Sequence, residues 1–267
     1  MDSRVTFGGR DREIEGYLAL PEGGEGLPGV VVIQEIWGLD EHIEDVARRF
    51  AAEGYAALAP DLYTGEWSEV MTPERIAAGM AFLRGASQEV QRDPEKLERA
   101  LEDRPQEEQD ATKMLATAMS PEGRLRFAED LLGAVEYLKV RPEVDAGRIG
   151  SIGFCMGGAL SGLLATLSPD LRAAVIFYGN NPPPERVPDI RASVLGIYGG
   201  EDARITGGVP ELEAVMREAG KSFEYHVYPG APHAFFNDTR PNYREEAARE
   251  AWERVLEFFE KTLKTGA

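Results

Sequence analysis

Short apolar runs alternate with amphipathic stretches along most of the chain. The runs GVVVIQ (29–34) and YAALAP (55–60) are continuously apolar, as expected of strands that are buried on both faces of a sheet. Between them, EHIEDVARRFAAEG (41–54) places its apolar residues on one helical face and ends in a glycine, which favours a helix terminus. Near the start, VTF and EIEGYLAL flank GGRDR, a pattern that predicts an N-terminal hairpin.

Four further apolar runs, RIGSIGF, RAAVIFYG, SVLGIYG and SFEYHVYPG, continue the alternation, and an amphipathic helix is predicted at about 243–263. Strand, helix and strand in repetition predict an α/β fold with a mostly parallel, twisted sheet flanked by helices. We interpret residues 1–267 as a single domain of this class.

Residues 66–122 interrupt this rhythm. The segment contains no strand candidate and is rich in Glu, Arg, Gln and Ala. We interpret it as a set of short helices inserted after the fourth predicted strand. It is either a cap over one end of the sheet or a solvated helical excursion.

Composition narrows the class of partner. At 43% hydrophobic and 28% charged residues the chain is typical of globular proteins, and its formal net charge is −18. Nucleic acids and anionic membranes are poor partners for such a surface, because phosphate binding needs a basic footprint. A single cysteine cannot form an internal disulfide, and no apolar run is long enough to span a bilayer. We therefore expect a cytoplasmic protein that acts on a small molecule, as a monomer or a homodimer.

The only cysteine, Cys155, lies in GFCMGG, between a predicted strand and the apolar helix GALSGLLATL. Strand, Gly-x-Cys-x-Gly and helix form the nucleophile-elbow pattern of α/β-hydrolases, with sulfur in place of the serine oxygen. Glycines are required there because strand and helix pass close together on either side of the nucleophile. The helix N-terminus favours a thiolate. The alternative is that Cys155 is a small buried apolar residue.

A cysteine nucleophile needs a base and a group that orients the base. Of the three histidines, His42 is predicted on the surface of the first helix and His226 within a strand, whereas His233 lies in PGAPHAFF, the loop after the last strand. Asp202, in the GGED turn after another strand, is the preferred acid, and Glu201 is the alternative. The chain order of nucleophile, acid and histidine is that of the α/β-hydrolases.

The loop QEIWGLD follows the early buried strand, at the same end of the predicted sheet. In an elbow enzyme the oxyanion hole uses the amide after the nucleophile, here that of Met156, and a second amide from this loop, for which Ile36 is the candidate. Glu35 directly follows the apolar strand and is either part of the site or an exposed carboxylate.

Three aromatic residues are candidates for the walls of a substrate pocket, with ordinary packing as the alternative: Trp37, Tyr63 and Tyr178.

The segments VVIQEIWGL, APDLY, GFCMGGAL, GGED and PHAFF together resemble the dienelactone hydrolases (carboxymethylenebutenolidases) over most of the chain outside 66–122. The resemblance implies an α/β-hydrolase fold with Cys155 as nucleophile, His233 as base and Asp202 as its partner. It also implies that Glu35 hydrogen-bonds the resting thiol and helps to form the thiolate when substrate arrives. Family members hydrolyse enol lactones and some activated esters without a metal or cofactor, so we expect none here.

The chain departs from that family where the substrate carboxylate is held. The founding dienelactone hydrolases have one arginine soon after the PDLY-like stretch and another four residues after the histidine. Here the first stretch reads YTGEWSEV and the second position is Asn237, which leaves Arg240 as a candidate replacement. The sequence thus predicts lactone or ester hydrolysis through an acyl-cysteine. The alternatives are a thiol redox protein acting through Cys155 and a non-catalytic binding protein with this fold.

Overall fold

The computed structural model describes residues 1–265, so the last two residues of the predicted domain lie outside the described range. Its centre is one eight-stranded sheet with the order β1-β2-β4-β3-β5-β6-β7-β8. The strands are β1 (Asp2–Gly8), β2 (Glu13–Ala19), β3 (Leu27–Ile33), β4 (Ala56–Pro60), β5 (Val144–Phe154), β6 (Leu171–Phe177), β7 (Ser193–Gly199) and β8 (Phe223–Tyr228).

The first two strands form the predicted hairpin, and β2 pairs antiparallel with β4. From β4 onward every neighbouring pair is parallel. The prediction of a mostly parallel sheet is therefore confirmed, and the carboxyl ends of its parallel strands share one edge of the sheet.

Helices cover both faces of the sheet. They are α1 (Glu41–Ala52), α2 (Glu66–Val70), α3 (Pro73–Gly85), α4 (Gln88–Arg92), α5 (Pro94–Leu101), α6 (Gln106–Met119), α7 (Pro121–Lys139), α8 (Met156–Leu167), α9 (Ala203–Thr206), α10 (Val209–Glu218) and α11 (Glu245–Phe259). A 3₁₀ turn at Pro184–Asp189 and a π turn at Glu260–Lys264 complete the elements. Helices α1 and α11 pack on one face, and α7, α8 and α10 pack on the other.

Alternation along β3 shows how one strand contributes to both cores. Val31 and Ile33 belong to the core under α7 and α8, whereas Val30 and Val32 belong to the core under α1 and α11. All four side chains are fully buried, which explains the continuously apolar sequence. Helix α1 begins where Asp40 accepts a hydrogen bond from the Ile43 amide at 3.1 Å.

Residues 66–119 form α2 to α6 and contain no strand. Helices α3 and α5 pack on α6, which in turn packs on α7. The insertion meets the sheet edge through Trp67, whose ring stacks on that of Tyr63 with centroids 5.8 Å apart and lies edge-on to Phe127. Across residues 1–265 no helix combines the length and the apolar character that crossing a bilayer requires.

Candidate active site

Cys155 lies on the sharp turn between β5 and α8. Its φ of 56° places it in the left-handed region, which a residue with a Cβ adopts only at a cost. Its amide donates to the Phe177 carbonyl at 3.0 Å, and its own carbonyl accepts from Ala159 as α8 begins. The side chain is half-buried. The thiol therefore lies at the helix N-terminus, where it packs against the core under α1 and α11 and keeps part of its surface exposed.

The glycines beside Cys155 are needed for close approach of backbone to backbone. A Cβ on Gly153 would lie 1.9 Å from the Gly157 carbonyl oxygen, and a Cβ on Gly157 would lie 2.4 Å from the carbonyl oxygens of Ile33 and Gln34. These neighbours are backbone atoms that cannot swing aside. The steric reason predicted for the Gly-x-Cys-x-Gly pattern is thus present in the structure.

His233 and Asp202 meet at the same sheet edge. His233 Nδ1 lies 2.5 Å from Asp202 Oδ2, and Asp202 is buried whereas Glu201 is exposed. Burial lowers the pKa of His233, but the hydrogen bond to Asp202 and the neighbouring Cys155 thiol raise it to about 10. Because Nδ1 is held by Asp202, Nε2 is the nitrogen left for Cys155. Asp202 thus orients His233, whose ring lies next to Cys155.

Two backbone amides at this edge of the sheet are candidates for an oxyanion hole. The amides of Ile36 and Met156 donate no hydrogen bond to any other residue within 1–265. Tyr63 holds the backbone beside the first of them, because its hydroxyl donates at 2.9 Å to the Ile36 carbonyl in the neighbouring peptide group. Unpaired amides at the carboxyl end of a sheet and at a helix N-terminus are able to hold a negatively charged oxygen.

Glu35 is 2% exposed, so the alternative of an exposed carboxylate is wrong. Tyr178 donates its hydroxyl proton to Glu35 Oε1 at 3.4 Å, and Asn237 Nδ2 donates to Oε2 at 2.7 Å. Within residues 1–265 these are the side-chain partners of Glu35, and the hydrogen bond to the resting thiol that the resemblance implies stays a prediction. Burial raises the pKa of Glu35, although the Asn237 hydrogen bond acts in the opposite direction.

The three aromatic residues predicted to line a substrate pocket differ in their exposure and contacts. Tyr178 has no exposed surface and packs beneath the site, between Glu35 and the His233 ring 5.1 Å away, so it is not a wall in this state. Tyr63 is 3% exposed and supports the Ile36 loop. Trp37 is half-buried, and it is the only one of the three with substantial exposed surface.

The prediction of a surface position for His42 is wrong. The ring is 3% exposed because the first turn of α1 packs it edge-on against Phe154 and Phe236, both at 6.0 Å. Its Nδ1 faces Asp238 Oδ1 at 3.3 Å, while Nε2 has no partner within the described chain. No hydrogen bond joins His42 to Cys155 in the part of the chain that the structure describes.

Arg240 stacks on Trp37, with its guanidinium 4.1 Å from the ring centroid. Its buried Nε has no hydrogen-bond partner, and the side chain forms no ion pair within the described residues. An unpaired guanidinium next to the Ile36 loop is suited to an anion. No cluster of three His, Cys, Asp or Glu side chains in residues 1–265 could hold a metal.

Sequence reasoning missed what Asn237 does. The sequence shows it only as a departure from the resembled family, yet its amide makes the shorter of the two hydrogen bonds to Glu35. No local pattern reveals this contact, because the two residues are 202 positions apart.

Curated proteins match this chain along nearly its whole length. One from Saccharolobus solfataricus, provisionally named a carboxymethylenebutenolidase, is 36% identical over 265 residues, which is 99% of this chain and 100% of that protein. One from Escherichia coli with the same provisional name is 34% identical and covers 92% of this chain and 81% of its own.

Solved structures also match this chain along nearly its whole length. A crystal structure from Klebsiella pneumoniae, provisionally named a dienelactone hydrolase, is 30% identical with a TM-score of 0.72 and covers 97% of this chain and 98% of its own. A dienelactone hydrolase-like promiscuous phosphotriesterase from metagenomic libraries shares the fold at 24% identity, with a TM-score of 0.69 and 98% of each chain covered. The sequence matches the Dienelactone hydrolase family over residues 14–263. The chain belongs to the dienelactone hydrolase family.

Proposed function

We propose that this protein hydrolyses a carboxylic ester or lactone through an acyl-cysteine intermediate on Cys155. One observation carries the proposal: the strained, half-buried Cys155 lies next to a histidine that is hydrogen-bonded to a buried aspartate. A merely structural cysteine needs neither the strain nor the histidine.

Acylation begins from a thiolate–imidazolium pair. The raised pKa of His233 keeps its ring protonated at neutral pH, and the proton on Nε2 stabilises the adjacent sulfur anion. The Cys155 sulfur attacks the carbonyl carbon, and the amides of Ile36 and Met156 hold the oxyanion of the tetrahedral intermediate. As this intermediate collapses, the bond to the leaving alkoxide breaks and His233 gives that oxygen its proton. In a lactone the released hydroxyl stays attached to the acyl group.

Deacylation uses the same groups in reverse. The now neutral His233 takes a proton from water, whose oxygen attacks the thioester carbonyl. The second tetrahedral intermediate breaks its carbon–sulfur bond and releases a carboxylic acid, and the thiolate–imidazolium pair is restored. Asp202 keeps the imidazole in the tautomer and orientation that both steps need.

Glu35 acts on this site as a positioning residue. Its side chain is anchored by Asn237 and Tyr178, and its backbone leads directly into Ile36, whose carbonyl is anchored by Tyr63. These contacts hold the chain on both sides of the Ile36 amide. Because burial raises the pKa of Glu35, the buried group resists ionisation and adds less negative charge near the sulfur.

Arg240 is the candidate contact for an acidic substrate. It is stacked on Trp37, one residue beyond the proposed oxyanion donor, and it has no carboxylate partner in the described chain. A substrate whose carbonyl is bound by Ile36 and Met156 would bring a nearby carboxylate toward this guanidinium.

Mass spectrometry of the intact protein tests the proposal. After rapid mixing with p-nitrophenyl acetate, we expect the wild type to gain one acetyl group that maps to Cys155, and Cys155→Ala to gain none while its circular dichroism is unchanged. An acetyl group on another residue, or equal turnover by Cys155→Ala, would contradict the mechanism. A thiol redox protein would instead form a mixed disulfide with oxidised glutathione and no productive acyl adduct.

A further inference from the structure

A second cavity lies apart from the proposed active site. It has a volume of about 450 Å³ and opens between α7, α8, α10 and the 3₁₀ turn. Its apolar walls are Ala159 and Leu163 of α8 and Leu212 and Val215 of α10, with three consecutive prolines at 182–184. Cys155, His233 and Asp202 do not line this space, and the one link to Cys155 is Ala159, whose amide donates to the Cys155 carbonyl. The volume lies within the range of about 300–1,000 Å³ that is usual for small-molecule sites.

Two arginines that line this cavity are unusual in the molecule. Among the half-buried arginines of residues 1–265, only Arg124 and Arg186 have a guanidinium group that contacts neither a carboxylate nor an aromatic ring. Each of the other half-buried arginines has an ion pair or a ring partner, as Arg141 has with Glu143 and Tyr137. Two unpaired guanidiniums in one cavity are unexpected in a chain with a net charge of −18.

The carboxylates around the cavity do not neutralise these arginines. Glu122, Glu185 and Glu211 also line the space, but all three are exposed and form no ion pair in the described chain. Exposed carboxylates keep their water, whereas burial has already removed part of the hydration of Arg124, which lowers its pKa. The unsatisfied charge inside the cavity is therefore positive.

We propose that this cavity binds a small organic carboxylate, with the carboxylate held by Arg124 and Arg186 and the apolar body packed against α8 and α10. Arginine is suited to this task because its planar group binds a carboxylate through two parallel hydrogen bonds. The site goes beyond the proposed hydrolysis and does not use Cys155. Its occupant would contact the helix that begins at the elbow, one and two turns after the nucleophile.

Calorimetric titration of the full-length Cys155→Ala protein with hexanoate tests the proposal. We expect saturable binding that Arg124→Gln and Arg186→Gln each weaken at least about tenfold, since each removes a charge-assisted hydrogen bond. Arg126→Gln is the matched control, because Arg126 is an exposed, unpaired residue on the same helix that does not line the cavity. Leu163→Trp is a second test that fills the cavity while leaving both charges in place.

Neutral hexanamide should bind more weakly than hexanoate, and hexylammonium more weakly still. Tighter binding of hexylammonium would show that the glutamates dominate and would overturn the proposal. Equal loss in Arg126→Gln, or no saturable binding of hexanoate, would overturn it too. Loss in Arg240→Gln but not in Arg124→Gln would place hexanoate in the proposed active site and refute the second site. Thermal unfolding of each variant separates lost binding from lost folding.

Discussion

Asn237 and Glu35 form a hydrogen bond in which neither partner is accessible to water. Asn237 Nδ2 lies 2.7 Å from Glu35 Oε2, and the two residues are 0% and 2% exposed. The orientation of the amide is defined at its other end, where Oδ1 accepts from both the amide and the hydroxyl of Thr239. Asn237 therefore offers Glu35 a donor and no charge, and its hydrogen bond only partly offsets the burial that raises the pKa of this carboxyl.

Replacing Glu35 with Gln is expected to stabilise the protein, increasingly so as pH rises. Burial raises the pKa of Glu35 above its ordinary value of 4.5. Below that value the group is protonated in both states and costs nothing, whereas above it the unfolded state ionises first and the native state loses stability with each pH unit. Urea unfolding of both proteins between pH 4.5 and 8 checks this. A stability gain that shrinks with rising pH would contradict it.

Two substitutions of Glu35 distinguish a positioning role from a proton-transfer role in catalysis. If Glu35 positions the Ile36 loop, Gln keeps the anchoring hydrogen bonds and retains kcat/KM within about threefold, whereas Ala loses the anchor and most of the activity. Steady-state rates with p-nitrophenyl acetate measure both variants. A loss of about 100-fold or more in Glu35→Gln alone would show that Glu35 transfers a proton instead.

Asp202→Asn is expected to reduce kcat by about 100-fold or more, because Asn cannot stabilise the imidazolium or enforce its tautomer. The hydrogen bond to Asp202 helps to raise the pKa of His233 to about 10, so its removal should move the alkaline limb of the pH–rate profile to lower pH. Glu201→Gln is the matched control, since Glu201 is the exposed neighbour. Equal effects of the two substitutions would refute the assignment of Asp202.

Arg240→Gln is expected to raise KM about tenfold for an ester that bears a carboxylate and to leave KM for a neutral ester of the same shape unchanged. The reason is the unpaired guanidinium beside Trp37. Arg249→Gln, an exposed arginine without an ion pair in the described chain, is the control. A similar rise in KM for both esters would show that Arg240 only supports the fold of the loop.

Features that depend on neighbouring residues were predictable from the sequence. The β-branched runs predicted the buried strands, and the glycines around Cys155 predicted the elbow, because both patterns express local geometry. The predicted loops after β7 and β8 also placed Asp202 and His233 at one edge, since parallel strands share a direction.

Contacts between distant segments were not predictable. His42 has the sequence context of a surface helix, but Phe236 from the far end of the chain covers it. Likewise, Tyr178 follows an apolar strand like any core residue, and only the folded chain brings its hydroxyl to Glu35, 143 positions away. A pattern of apolar and polar positions indicates that a residue is buried but not which residue lies opposite it.

Gly153→Ala is expected to destabilise the protein by about 3 kcal/mol or more and to abolish activity, because the added methyl group would lie 1.9 Å from the Gly157 carbonyl oxygen. This steric clash is relieved only if β5 and α8 move apart, and that movement displaces both Cys155 and the Met156 amide. Gly85→Ala is the matched control, since no atom lies within 4 Å of a Cβ there, and alanine should stabilise the end of α3 by up to about 1 kcal/mol. Chemical denaturation with activity measured in parallel checks both. If Gly153→Ala kept wild-type stability and rate, close approach of strand and helix could not be what fixes the thiol in place.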